Sequence, residues 1–597
     1  MFAASHKVPH LAVEDLFRAP VRTAASISPD GTRITYLAPW RGRMNVWVES
    51  VDAPEEARCV TAGDNRGVRA YHWTDDPRWL LYEQEGDDDG NRHVFRVDLE
   101  NPDGAAVDLT PFPGAGATGF ETTPSRPGKA LLHLNHRERT EFDLYELDIA
   151  AGELTMLAQN PGRAGGWLYT PGGDLYAHGL TDDGDIELSR WDAERDTWDP
   201  VVTFDGSDYP LGIRPFQVTP DGTGVWIGSH RGSDRTRLVR LDLATGEESE
   251  VDDHPVLDLD PRHTAFPSLP SPLILDRRTG ELAGVRYLGE RQVIRALDPH
   301  FAAVLENLEK LSDGDLAVVS GDEDGQRWVV SFTHDRDPGV TFFYDHSTGE
   351  SRLLFRPYPH LDPGALAPKT PLTVYSRDGL ALPSYLTLPL GADPAGLPLV
   401  LLVHPGPWHR DTWGFAPFEQ LLANRGYAVL QVNFRGSSGF GKAFTEAGTG
   451  ALAGKMHDDL VDAVDWVVER GYADRERVAI LGGSYGGYAI LAGVTFTPDV
   501  FAAAIDFCGI PNLATYLRTV PESAVDRIRT PLMVMQGTND ARVAKTESDQ
   551  IVEALRARGV EVEVEYMVND DESRRFGNPE NTIEFPTSPC QEEGERQ

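Results

Sequence analysis

Val478-Ala479-Ile480-Leu481-Gly482-Gly483-Ser484-Tyr485-Gly486-Gly487-Tyr488 carries an apolar run through a glycine-flanked serine into a second run able to continue as a helix over 488–494. Four successive apolar residues read as a strand buried on both faces. The Gly-x-Ser-x-Gly spacing of Gly482, Ser484 and Gly486 is that of a nucleophile elbow, a strained strand-to-helix turn that presents a serine hydroxyl at the end of a sheet. The pattern alone is weak. Its context, a strand before, a helix after and glycines at the turn, gives it weight, and Gly486 and Gly487 would let the helix approach closely. The competing reading is Ser484 as an ordinary helix cap.

Outward from this turn, strands alternate with helices. The segments 398–403, 427–432, 478–481, 502–507, 532–536 and 562–568 read as strands. Helical spacing of Leu460, Val461, Val464, Val467 and Val468 predicts a helix over 456–470, and a second is expected over 546–558. Together they predict a doubly wound, mostly parallel α/β sheet. In sheets with this elbow the chain order is serine, then acid, then histidine. Asp540, just after the strand 532–535, is the candidate acid; a plain turn aspartate is the alternative. No histidine follows Ser484, and the last in the chain is His457. His404 is kept as a rescue base, although holding its own loop by hydrogen bonds is the expected role. His409 and His457 are expected to be surface or packing residues.

The first part of the chain repeats itself. Turn signals recur at Ser28-Pro29-Asp30-Gly31, Asp75-Asp76-Pro77, Thr123-Pro124, Thr170-Pro171-Gly172-Gly173, Thr219-Pro220-Asp221-Gly222 and 321–325. Most are roughly 45–50 residues apart, a propeller-blade period. A second signal, as in Leu241-Asp242-Leu243-Ala244-Thr245-Gly246-Glu247, recurs at 147–153 and 344–350. Two turns per period imply four strands per blade, and seven units fit between about 20 and 360. The sixth, 274–315, is the least regular, with a helix expected over 301–311. Two β-sandwiches are the rival reading. A Pro-rich linker near 363–371 separates the two halves. The expected division is an N-terminal extension (1–19), a seven-bladed propeller (20–362), an α/β domain (363–585) and a disordered tail (586–597).

A length of 597 residues asks for several domains. The net charge of −39 disfavours nucleic acid and anionic membrane surfaces as partners. Acidic Asp87-Asp88-Asp89 reads as a solvated hairpin tip. The three cysteines, Cys59, Cys508 and Cys590, are too scattered for a disulfide framework or a zinc site. The start, MFAASHKVPHLAVEDLF, lacks a signal-peptide pattern, and no apolar run approaches the ~20 residues that span a bilayer. A cytoplasmic location is expected.

His404-Pro405-Gly406-Pro407, Asn433-Phe434-Arg435-Gly436-Ser437, Gly454-Lys455-Met456-His457-Asp458-Asp459, 482–488 and 537–543, together with the repeats, resemble the prolyl oligopeptidase family (S9) of serine peptidases, in particular its acylaminoacyl-peptidase and dipeptidyl-peptidase-like members. The resemblance spans nearly the whole chain. It implies an all-β seven-bladed propeller followed by an α/β-hydrolase domain, with the propeller restricting access to short peptides. It implies Ser484 as nucleophile, Asp540 as acid, and the backbone N–H groups of Tyr485 and Gly406 as oxyanion donors. Homo-oligomers are common in such families and one is an expectation here; no metal or organic cofactor is expected.

The chain departs from the family pattern where chemistry needs it most. Arg574, in Glu572-Ser573-Arg574-Arg575-Phe576, stands where the resemblance places the catalytic histidine. A guanidinium has no acceptor lone pair and cannot take a serine proton; pairing with Asp540 is the expected consequence. Pro405 replaces the first glycine of His-Gly-Gly-Pro, fixing φ beside the Gly406 donor. The link from 513 to 529 is short, and Pro586 and Pro589 stop a closing helix. The expectation is a peptidase of short peptides impaired at its base, the alternative a peptide-binding pseudo-peptidase or a decayed family member.

Overall fold

A computed structural model describes residues 9–509, 528–537, 545–557, 559 and 562–567, apart from 62, 64–65, 87–90, 102–103, 123, 161, 163, 196, 210–214 and 266–268. Seven sheets of four strands precede one sheet of eight. In six of the seven, consecutive antiparallel strands follow one another in chain order, which is the arrangement of propeller blades.

The turns that betray the repeat work as their residues dictate. Between the first and second strands of the first blade, Asp30 accepts from Ser28 Oγ at 2.6 Å and Thr32 N at 3.1 Å, and Gly31 takes φ +68°. The fifth blade repeats this with Asp221, Thr219 and Gly222. The second signal joins third to fourth strands, where Asp242 and Asp345 accept from amides two and three residues on. These Asx turns close each hairpin locally.

The sixth blade departs from four strands abreast. Asp258–Leu259 and Leu273–Leu275 pair with the same edge of Leu282–Leu288, so its inner strand is split by an insertion. Gln292–Ala296 covers the other edge. Helix Pro299–Leu308 then comes where the other blades have a fourth strand, and buries Phe301, Val304 and Leu308 against Trp328 and Val330 of the seventh blade. Asp298 caps it, accepting from Phe301 N. The ring closes by packing the first blade on the seventh through Ile27, Ile34, Val329 and Phe343. Ile27 N also donates to Ser320 Oγ and Arg327 to Gly31 O.

The eight-stranded sheet comprises β1 (Lys369–Tyr375), β2 (Ala381–Thr387), β3 (Leu397–Val403), β4 (Ala428–Val432), β5 (Ala473–Gly483), β6 (Ala503–Phe507), β7 (Leu532–Gly537) and β8 (Val562–Met567). Helices α1 (Pro417–Asn424), α2 (Lys442–Glu446), α3 (Lys455–Glu469), α4 (Tyr485–Phe496) and α5 (Lys545–Ala557) connect them. The order is β1-β2-β4-β3-β5-β6-β7-β8, antiparallel at β1-β2-β4 and parallel beyond. Parallel strands bring their C-terminal ends to one edge, where α/β sites form. The core joins Leu399, Leu401 and Ile480 of the sheet to Val464, Val467, Ile490 and Val494 of the helices. Among the described residues no helix is long and apolar enough to cross a membrane.

The propeller and the α/β domain are bonded through named groups. Asp234 of the fifth blade accepts from Ala443 N at 2.8 Å, capping α2 from the other domain, and Lys442 pairs with Asp208. A short helix, Val13–Phe17, packs on α1 through Leu16, Leu421 and a Phe17–Phe418 edge contact. Beneath the seventh blade, Lys369 Nζ lies 3.1 Å from Glu419 Oε2, and Asp411 accepts from Gln431 Nε2 at 2.7 Å. One ammonium thus faces two carboxylates; Lys369 and Glu419 are buried and Asp411 is half-buried. Burial pushes the Asp411 and Glu419 carboxyls up to about 7.

A pH dependence follows. Unfolded, the two groups titrate near 3.8 and 4.5; folded, near 7. In that window the folded state holds a proton that the unfolded state lacks, so this stabilisation is lost as pH rises towards 7. Each retained proton contributes a slope of about 1.4 kcal/mol per pH unit. Asp411→Asn is expected to flatten the fall in denaturant midpoint between pH 5 and 7.5 relative to the natural chain. A parallel pair of profiles would show that the cluster holds no extra proton.

Candidate active site

Ser484 joins β5 to α4 at φ +57°, ψ −117°, a strained conformation for a residue with a side chain. Its side chain makes no capping hydrogen bond, which removes the reading of Ser484 as a plain helix cap. Its amide donates to Phe507 O at 3.0 Å, tying the turn to the end of β6. The residue is half-buried.

The glycines around it are sterically required. A Cβ on Gly482 would lie 2.7 Å from Val403 O, and one on Gly486 2.4 Å from the same oxygen. A Cβ on Gly487 would meet Asp506 Oδ1 at 2.2 Å and Gly509 Cα at 2.5 Å. The elbow is therefore wedged between the ends of β3 and β6. Asp506, buried on β6, accepts from Gly509 N at 2.9 Å, and burial pushes its carboxyl up to about 7. The sequence reading missed this support: Asp506 looks there like one more strand residue.

Gly406 lies three residues past the end of β3, the strand beside β5, and its φ of +134° is glycine territory. Among the described residues neither the Gly406 nor the Tyr485 amide has an acceptor. Tyr485 is the first residue of α4, whose N-terminal amides have no partner within the helix. One candidate donor thus directly follows Ser484, and the other lies on the loop that leaves the neighbouring strand β3. β7 ends at Gly537, three residues before Asp540, and β8 at Met567, seven before Arg574, both on the edge that carries the elbow. Asp540 and Arg574 themselves lie outside the described residues, as do Asp87–Asp89, Cys590 and the tail.

His404 is committed elsewhere. Its Nδ1 lies 2.8 Å from Pro405 O, which can only accept, so that nitrogen carries the proton. Nε2 then faces Ser437 Oγ at 3.0 Å, and the ring stacks on Phe434 at 4.4 Å. Burial holds its pKa down at about 4. The ring braces its loop and offers no lone pair to Ser484. His457 is buried, with Nε2 2.9 Å from Thr497 Oγ1. His409 is half-buried, and burial lowers its pKa to about 4.

Arg435 is the hub behind the site. It is buried and takes a two-pronged bond to Asp459 at 2.6 and 2.8 Å, while Nη1 and Nη2 reach Asp378 at 3.0 and 2.8 Å. Its amide donates to Asp459 as well. Asp378 is thereby held far below the usual carboxylate range, first by Arg435, then by Ser376 and Lys455. This network ties the segment that braces His404 to α3 and to the β1–β2 turn.

Comparison with known proteins gives this geometry its context. The prolyl oligopeptidase family model matches residues 413–522 and 506–586. Dipeptidyl aminopeptidase BIII of Pseudoxanthomonas mexicana is 38% identical over 614 residues, covering 96% of this chain and 87% of that protein. The chain belongs to the prolyl oligopeptidase family of serine peptidases. Dipeptidyl peptidase family member 6 of Caenorhabditis elegans is 27% identical over 651 residues, covering 97% and 85%. The solved puromycin-hydrolyzing peptidase of Mycobacterium tuberculosis aligns with a TM-score of 0.72 at 18% identity, over 94% of this chain and 92% of that one. It shares the fold. Family members thus combine a propeller with an α/β-hydrolase domain, as this chain does.

Proposed function

We propose that this chain captures short peptides at the end of the α/β-hydrolase sheet, in the manner of dipeptidyl or acylaminoacyl peptidases, and cleaves them poorly or not at all. Ser484 is the nucleophile, Asp540 its acid, and the amides of Tyr485 and Gly406 receive the developing oxyanion. The step that fails is proton removal from Ser484, because Arg574 stands where the base is expected. The proposed setting is the cytoplasm.

One observation carries the reading: a serine held at φ +57° whose side chain has no partner among the described residues, with the Tyr485 amide next to it and the Gly406 amide on the neighbouring loop, neither having an acceptor among the described residues. Such strain persists where surrounding structure over-determines it, and it clusters at reactive sites. Preorganised donors stabilise an oxyanion even without a base, which leaves roughly 10³–10⁴-fold acceleration over water in comparable triads. The test is a short peptide arylamide offered to the natural chain. Saturable binding with little turnover is expected; clear turnover abolished by Ser484→Ala would refute the impaired reading.

A further inference from the structure

The chain has twelve tryptophans, and Trp408 is the one that is mostly exposed, at 53%. It sits two residues after Gly406, and its own amide nitrogen lies 2.7 Å from where a Gly406 Cβ would be. Two residues span at most about 7.6 Å of chain, so the indole is within side-chain reach of whatever the Gly406 amide holds.

The loop beneath it is fixed on both sides. His404 is stacked on Phe434 and bonded to Ser437. Asp411 N donates to Asn433 Oδ1 at 2.7 Å. Buried Arg410 donates to Gly289 O of the sixth blade and to Gly439 O, and its guanidinium lies 4.1 Å from the centre of the Phe440 ring. Among the described residues no ring or cation stacks on Trp408 itself. A loop anchored by buried His404 and Arg410 that leaves its largest apolar side chain in water is built to meet a ligand, since tryptophan dominates binding hot spots.

The geometry points to Trp408 as a specificity residue: a platform for an apolar or aromatic side chain of the bound peptide, next to the carbonyl held at Gly406. This inference rests on the peptide-binding reading above. It is tested by calorimetric titration of the Ser484→Ala chain, which removes turnover, with tetra-alanine and its four single-phenylalanine variants. At least one phenylalanine position is expected to bind about tenfold tighter than tetra-alanine. Trp408→Ala should abolish that preference, while Trp408→Phe keeps most of it. Unchanged thermal midpoints check that the exposed truncation leaves the fold intact. A preference that survives Trp408→Ala, or no preference at any position, overturns the inference while peptide binding stands. No binding of any peptide overturns the peptide-binding reading and the inference with it.

Discussion

Arg574→His is expected to raise turnover of a short peptide arylamide by several orders of magnitude, and the gain should vanish when Ser484→Ala is added. A serine hydroxyl attacks only as its proton leaves, and arginine offers no lone pair to receive it. In a comparable triad, loss of the histidine costs about a million-fold in turnover, which sets the ceiling for recovery. The elbow is wedged on Val403 O and Asp506, and the Tyr485 and Gly406 amides have no acceptor among the described residues. They should already be in place. If steady-state kinetics show no gain, residue 574 is not what limits the chain.

Arg435→Ala carries the largest expected effect on stability. It would strand Asp459, which is fully buried, without its two-pronged partner. Breaking a buried pair by removing one member costs about 3–5 kcal/mol, because the remaining charge stays desolvated. Arg435→Lys should recover only part of this, since an ammonium cannot reproduce the fork that spans Asp459 and Asp378. Chemical denaturation of the three chains at neutral pH measures the loss. A change below about 1 kcal/mol would mean that Asp459 is neutralised by another route.

How far the chain could be read beforehand follows from the range of each interaction. The Asp30 and Asp221 turns, the helix of α3 and the Ser484 elbow are local: glycine at positive φ, an Asx acceptor two residues away, or an apolar face at helical spacing writes itself into adjacent residues. The sixth blade is harder, because its Asp276–Glu281 turn carries the signal used elsewhere between third and fourth strands but here joins the first strand to the second. The Arg435 hub reaches Asp459 and Asp378 across 24 and 57 residues. The motifs containing Arg435 and Asp459 stood out in the sequence, yet nothing in them says that they bond to each other. The Lys369–Glu419–Asp411 cluster exists only once the seventh blade covers it. Exposure, which singles out Trp408, has no sequence signal.

Labelling with a fluorophosphonate probe tests the central claim most directly, run on the natural chain, on Ser484→Ala and on Arg574→His. An elbow intact but without its base predicts labelling of Arg574→His and neither of the others. Ser484-dependent labelling of the natural chain would contradict it, because the serine would then be activated by a base other than residue 574.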